Sequence, residues 1–336
     1  MMASAGAVGA RVDREDRMGT VETARGPITN EALGRTLMHE HVFIVNAEVN
    51  QNYDTGFDEE AEIAKAVVRM NELKAAGIDT IVDLTVLGLG RFIPRIARVA
   101  AQTELNIVVA TGVYTFDEVP HHHLFADADS MAELFCRDIE QGIHGTSTVK
   151  AGILKCATDR KGVTDGVEKV LRAVARAHRR TGTPISTHTD AGTRRGLEQQ
   201  DIFRQEGVDL SRVVIGHSGD SLDFDYLEEL LAAGSYLGMD RFGLNWPINF
   251  QQRLDVVAEL CRRGHVDKLV LSHDTSCYID QMAPGLVEKL TARGWHYTHI
   301  CNDVIPALRE RGVTDAQIET MLVTNPAAIF SRTGGY

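Results

Sequence analysis

The stretch Leu37–Ile44, LMHEHVFI, reads as a β-strand that carries two histidines on one face. Its side-chain period of two points His39 and His41 the same way and Glu40 the other. Seven more runs of this kind follow: Ile78–Leu84, Ile107–Val113, Ala151–Cys156, Pro184–Thr189, Val213–His217, Tyr236–Asp240 and Lys268–His273. They are nearly continuous apolar runs rather than clean alternations, as expected where both faces of a parallel strand are covered. Between them lie helical patterns. Val163–Arg180 sets Val167, Val170, Leu171, Val174 and Ala177 on one stripe, with Arg172, Arg176 and Arg179 opposite. Glu60–Ala76, Pro94–Ala101, Met131–Ile143, Gly196–Glu206, Phe224–Ala233 and Leu254–Arg263 behave similarly, and several end near a glycine. A last helix, Asp315–Val323, is predicted to stop at Asn325-Pro326. Eight strand–helix units without a linker predict one α/β domain, a (β/α)8 TIM barrel with an extended loop after the eighth strand. An open doubly wound sheet is the alternative, weakened because no G-x-G-x-x-G follows the first strand.

The chain has 336 residues, within the range of a single large barrel. Lys and Arg number 35 against 47 Asp and Glu, a net charge of −12, which argues against nucleic acid and anionic membrane surfaces as partners. No stretch approaches the roughly 18 consecutive apolar residues of a membrane helix. Residues 1–22 read as a disordered leader rather than a signal peptide, leaving 23–336 as the barrel. The 5 cysteines are scattered and never spaced C-x-x-C, which points to reduced thiols and a cytoplasmic setting.

Candidate ligands gather at the strand ends. His39 and His41 lie in strand one, Lys155 ends strand four, His188 strand five and His217 strand six, and Asp274 follows strand eight. A closed barrel brings all these side chains to one mouth, where active sites sit. A lone H-x-H is more often a satisfied core histidine, but four histidines, an aspartate and a lysine at matching positions point to a metal centre. Lys155 is the odd member, because an ammonium beside divalent cations is repelled. A neutral amine that takes up carbon dioxide becomes a carbamate, a carboxylate on a long stem able to bridge two ions.

These stretches resemble the phosphotriesterase family of the amidohydrolase superfamily. The similarity is carried by TLMHEHVF (Thr36–Phe43), AGILKCATD (Ala151–Asp159), ISTHTDAG (Ile185–Gly192), VVIGHSGD (Val213–Asp220), GMDRFGLN (Gly238–Asn245) and LSHD (Leu271–Asp274), and runs from about Thr23 to the C-terminus. The resemblance implies two divalent transition metals: zinc, cobalt, iron or manganese, all of which accept imidazole and carboxylate. His39, His41 and Asp274 would hold the buried ion and His188 and His217 the exposed one, with carboxylated Lys155 and a hydroxide as bridges. GMDRFG is similar to the phosphotriesterase-like lactonase branch. That implies hydrolysis of N-acyl-homoserine lactones, which quenches quorum signals, with weak phosphotriesterase activity, a small-molecule lactone as partner and a homodimer. In that branch the residue matching Tyr114 lies over the metals and the one matching Arg241 shapes the pocket. Catalytic roles thus fall to Asp274, Lys155, Tyr114 and Arg241. Alternatives are a true phosphotriesterase or carboxylesterase, a non-catalytic lactone-binding protein, and a nucleobase- or amide-cleaving member of the superfamily.

The segment after strand eight, about Thr275–Tyr297, is long for a βα loop. Its Cys277, Tyr278, Ile279, Met282, Leu286 and Trp295 are expected to form an apolar channel for an acyl chain, to cover the rim or to build a dimer contact. His121–His123 reads as a solvated loop, His144, His178 and His265 as surface residues, and His296 and His299 as rim residues. Glu40 is expected to neutralise a residue of a neighbouring helix.

Overall fold

The apolar runs become eight parallel strands of one sheet. A computed structural model describes residues 19–146, 148–283, 285–331 and 334–336. In chain order its strands are β1 (Thr20–Thr23), β2 (Gly26–Thr29), β3 (Thr36–Glu40), β4 (Phe43–Ile44), β5 (Thr80–Asp83), β6 (Asn106–Gly112), β7 (Ile153–Thr158), β8 (Ile185–Thr189), β9 (Val213–Ile215), β10 (Tyr236–Met239), β11 (Leu269–Leu271) and β12 (Tyr278–Ile279). The barrel runs β3-β5-β6-β7-β8-β9-β10-β11. It closes where Asp274 N–H donates to the His39 carbonyl at 3.1 Å and His41 N–H to the Thr275 carbonyl at 2.9 Å. The fold is the (β/α)8 barrel.

Helices Glu59–Ala75, Ile93–Ala100, Ala128–Glu140, Asp165–Thr181, Arg195–Gln205, Phe224–Ala232 and Phe250–Arg262 sheathe it. Local chemistry sets their ends. Thr164 accepts from the Val167 N–H to start one helix, and Gly182, at φ +72°, ends it in a conformation that costs a residue with a Cβ. Apolar side chains of Met38, Val82, Val108, Ile153, Val214 and Val270 form a cluster of their own, while the outward faces of the strands pack on the helices.

Three expectations are corrected. The run predicted as one strand to Ile44 divides: the β3–β5 register shifts between Leu37 and Glu40, and Phe43–Ile44 leaves the barrel to pair with Tyr278–Ile279. Pairing across the rim overrides the continuous apolar pattern. The leader, drawn to residue 22, includes Thr20–Glu22, which the structure places in an antiparallel hairpin with β2; residues 1–18 lie outside the described residues. The last helix does not stop before Pro326, because a π-helical turn, Thr320–Thr324, leads into the helix Asn325–Ile329. Proline lacks an N–H and crowds the carbonyl one turn back, and a wider turn relieves both. The same device, Ile300–Val304, precedes Pro306.

Two histidines assigned to the surface are not there. His123 is 3% exposed and His178 is fully buried. His178 Nδ1 donates to the Thr183 carbonyl at 2.7 Å, and its Nε2 accepts from the Tyr336 hydroxyl at 2.8 Å. Burial lowers its pKa to about 4. The unfolded chain then takes up a proton between pH 6.5 and 4 that the folded chain refuses, so stability is full above pH 6.5 and falls through that window, by about 3 kcal/mol. A Tm–pH profile should be flatter in His178→Gln than in wild type over this range. Parallel profiles would show that the buried ring is not the source.

No helix among the described residues is long and apolar enough to cross a membrane.

Candidate metal centre

All six sequence-predicted ligands converge at the C-terminal mouth. His39 lies in β3, Lys155 in β7 and His188 in β8, while His41, His217 and Asp274 stand just past β3, β9 and β11. Asp274 Oδ1 lies 3.2 Å from His41 Nε2 and 3.5 Å from His39 Nε2, and Oδ2 lies 3.8 Å from His217 Nε2. The rings of His39 and His217 stack at 4.7 Å, and His188 meets His217 edge-on at 4.6 Å. His217 and Asp274 both hold left-handed backbone, φ +60° and +55°. For residues with a Cβ this costs about 1–3 kcal/mol each and persists where surrounding structure enforces it, commonly at active sites.

The nitrogens that do not face the mouth are all occupied. Asp240, just past β10, forks between two imidazoles: Oδ2 accepts from His39 Nδ1 and Oδ1 from His217 Nδ1, each at 2.9 Å. His41 Nδ1 sits 2.8 Å from Thr85 Oγ1. Each of these rings thus presents Nε2 to the centre. His188 is held the other way round, with Nε2 at 2.9 Å from Asp159 Oδ2 and Nδ1 inward. This arrangement fits metal binding, because outer partners fix the tautomer and leave a lone pair aimed at the ion. Burial pushes His188 down to about 4 against the pull of Asp159, keeping the ring neutral and able to ligate. Burial opposes ionisation of Asp240, yet the two imidazoles hold its pKa well below the usual carboxylate range.

Lys155 is 1% exposed. Its Nζ has His39 Nε2 at 3.0 Å and the Thr187 carbonyl at 3.1 Å as partners, neither an anion. Burial, outweighing the attraction of Asp274 and Asp240, lowers the amine to about 8. A buried amine with no contacting carboxylate, next to inward imidazoles, is the donor chemistry that a bridging carbamate would complete.

Arg241 joins the centre to a second layer. Its Nε donates to Asp274 Oδ2 at 3.0 Å and its Nη1 to Asp220 Oδ2 at 2.9 Å, and Arg253 pairs with the other Asp220 oxygen. Burial disfavours the Arg241 cation, but Asp274 and Asp220 outweigh it and raise its pKa. The Tyr114 hydroxyl lies 3.2 Å from His188 Nδ1, and burial pushes its pKa up, so it stays a donor.

Other expectations part from the structure. Cys277 does not line a channel; it is 3% exposed and its thiol donates to the Tyr297 hydroxyl at 3.4 Å. Tyr278 stacks edge-on against Phe57 at 4.8 Å. Cys277 and Tyr278 pack with the main core, whereas Ile279 and Met282 pack with Leu244, Leu290 and Trp295. Leu286 is 38% exposed. Glu40 neutralises no helix residue. Fully buried, it accepts from the Ser272 hydroxyl, His273 N–H, His273 Nδ1 and Thr275 N–H at 2.7–3.0 Å, tying the ends of β3 and β11.

Asp240 and Asp159 were missed by reasoning from sequence. Both stand just past strands, β10 and β7, on the rim that carries the candidate ligands, and that position was the available signal. Asp240→Asn, which keeps the shape but removes the charge, should weaken metal binding about 10–100-fold in chelator competition. An unchanged affinity would remove the fork from the site.

A barrel whose mouth gathers imidazoles, carboxylates and a buried lysine defines a metal-hydrolase type of centre, and the comparisons place it. The phosphotriesterase family model matches residues 19–330, and the chain belongs to that family, whose members are metal-dependent hydrolases. It is 62% identical to the phosphotriesterase homology protein of Mycobacterium tuberculosis over 327 residues, covering 95% of this chain and 100% of the relative. It is 39% identical to the aryldialkylphosphatase of Saccharolobus solfataricus over 306 residues, covering 90% and 97%. The solved structure of the phosphotriesterase from Mycobacterium tuberculosis superposes with a TM-score of 0.91 at 62% identity, covering 94% of this chain and 100% of the other.

Proposed function

We propose that the chain is a binuclear-metal lactonase that opens N-acyl-homoserine lactones and related lactones and hydrolyses phosphotriesters slowly, acting as a homodimer. The observation that supports this is the composition of the mouth. Beside the ionisable centre, the half-buried side chains of Ile279 and Met282 lie over a packed base of Leu244, Leu290 and Trp295, an apolar surface suited to an acyl chain. The cluster adjoins the polar centre through Trp295, whose indole N–H donates to the His273 carbonyl at 3.2 Å, next to Asp274. His39, His41 and Asp274 would hold one ion, His188 and His217 the other, and carboxylated Lys155 both. When bound, two such ions supply an acidified water and a Lewis acid for the carbonyl oxygen.

The chain's own residues do the rest. Asp274 accepts the proton of the attacking water as the new C–O bond forms, then returns it to the ring oxygen as the ring C–O bond breaks, so no charge is left on the alcohol product. Arg241 holds the Asp274 carboxylate by one oxygen and leaves the other facing the imidazoles. The Tyr114 hydroxyl, beside His188, donates to the substrate carbonyl or ring oxygen.

Proton release followed on an acyl-homoserine lactone series and on an aryl phosphotriester, with metal quantified in the same sample, tests the proposal. Faster lactone opening is expected. Faster phosphotriester turnover, or binding without ring opening in metal-loaded protein, would overturn it. Ile279→Ala should lower the preference for decanoyl over butanoyl substrates about tenfold, the value of a methylene or two in an apolar pocket. Tyr278→Phe, packed on Phe57, should leave it unchanged. Indifference of Ile279→Ala to chain length would remove the channel.

A further inference from the structure

Three of the four inward histidines are fixed by a carboxylate that touches them: His39 and His217 by Asp240, and His188 by Asp159. His41 is the exception. Its Nδ1 is held by the Thr85 hydroxyl, with Oγ1 at 2.8 Å. A hydroxyl both donates and accepts, so it does not by itself decide which ring nitrogen bears the hydrogen. Were Thr85 to donate to Nδ1, the hydrogen would stand on Nε2, which lies 3.2 Å from Asp274 Oδ1. The ring would then have no lone pair for an ion.

The direction of that bond is decided one residue further out. Asp83 ends β5 and is 2% exposed. Its Oδ1 accepts from the Thr85 N–H at 3.0 Å, and the Thr85 hydroxyl and the Val42 N–H also face the carboxylate. Oδ2 is buried and takes no hydrogen bond. A carboxylate only accepts, and a buried acceptor in a folded protein is rarely left unpaired, which assigns the Thr85 hydroxyl hydrogen to Asp83. Thr85 Oγ1 then has only lone pairs to offer His41, and the ring must donate through Nδ1. Burial opposes the charge on Asp83, but Arg91 attracts it from behind. That guanidinium is anchored in turn by Asp138, Nη1 to Oδ2 at 2.9 Å.

We propose, on the metal reading of the mouth, that Asp83 is a positioning residue. Through the Thr85 hydroxyl it keeps the hydrogen of His41 on Nδ1 and turns the Nε2 lone pair to the ion. All four histidines then have a carboxylate behind the nitrogen that faces away, three directly and the fourth through one hydroxyl. Outer partners of this kind fix the tautomer and strengthen metal binding.

Zinc affinity of the full-length protein, measured by chelator competition, tests the relay. Thr85→Val keeps the shape and removes the hydroxyl, and should weaken one bound ion about 10–100-fold. Thr85→Ser keeps the hydroxyl and loses the methyl, and should bind zinc as wild type does. A role in packing alone predicts the reverse order. Asp83→Asn should weaken the same ion but add nothing in the Thr85→Val background, because its effect passes through that hydroxyl. Unchanged affinity in Thr85→Val or Asp83→Asn, with wild type holding its ions, would overturn the relay and leave the metal reading standing. So would losses that add in full in the double variant. Wild type that binds no zinc would overturn the metal reading and the relay together.

Discussion

Lys155→Ala is expected to lower hydrolytic turnover by about three orders of magnitude or more and to reduce metal content, with Tm shifted by only about 5 °C. The argument rests on burial. An amine at 1% exposure, lowered to about 8, is neutral in an appreciable fraction of molecules at mildly alkaline pH. A neutral amine adds to carbon dioxide: an N–C bond forms, one N–H proton passes to solvent, and the cation becomes a carboxylate anion. The structure leaves room for that outcome, because the contacts at Nζ are an imidazole nitrogen and a carbonyl rather than a counter-ion. Alanine would abolish the proposed bridging anion while keeping the apolar strand that delivers the side chain. Steady-state rates at matched metal loading, beside a thermal melt, make the comparison. Wild-type turnover in the variant would reject Lys155 as a bridge.

Asp274→Asn should cost about a thousandfold in kcat, within the range assigned to a positioned general acid–base group. The substitution keeps size and an oxygen for Arg241, so the network through Asp220 and Arg253 should survive. What it loses is the ability to take a proton, along with the charge that Oδ1 presents to His41 and His39. The left-handed backbone at φ +55° favours this variant as a test, because asparagine tolerates that region well. A kcat within tenfold of wild type, with metal retained, would show that another group moves the proton.

Much of the barrel was legible because its signals are local. Apolar runs of strand length, helical stripes between them and glycines at helix ends depend on neighbours a few positions away. The convergence of the candidate residues was legible for the same reason, since a strand end is a sequence position and a closed barrel gives all strand ends one address. The second layer was not. Asp240 meets His39 across 201 positions and Glu40 meets His273 across 233. No periodicity encodes such pairs, and the partners of Glu40 are Ser272, His273 and Thr275 rather than a helix residue. The side chains after β11 follow the same rule: Cys277, Tyr278 and Ile279 are adjacent in sequence, but Cys277 and Tyr278 pack with the main core and Ile279 with Leu244, Leu290 and Trp295.

The amino-acid sequence by itself determined the alternation of strand and helix, the single domain and the set of residues able to hold metal, because each follows from local spacing and side-chain chemistry. The tertiary structure alone decided which nitrogen of each histidine faces inward, which carboxylate holds it there, and that His178 and His299 are buried. These are properties of closure, since a hydrogen bond across the barrel exists only once strands far apart in the chain have been brought side by side.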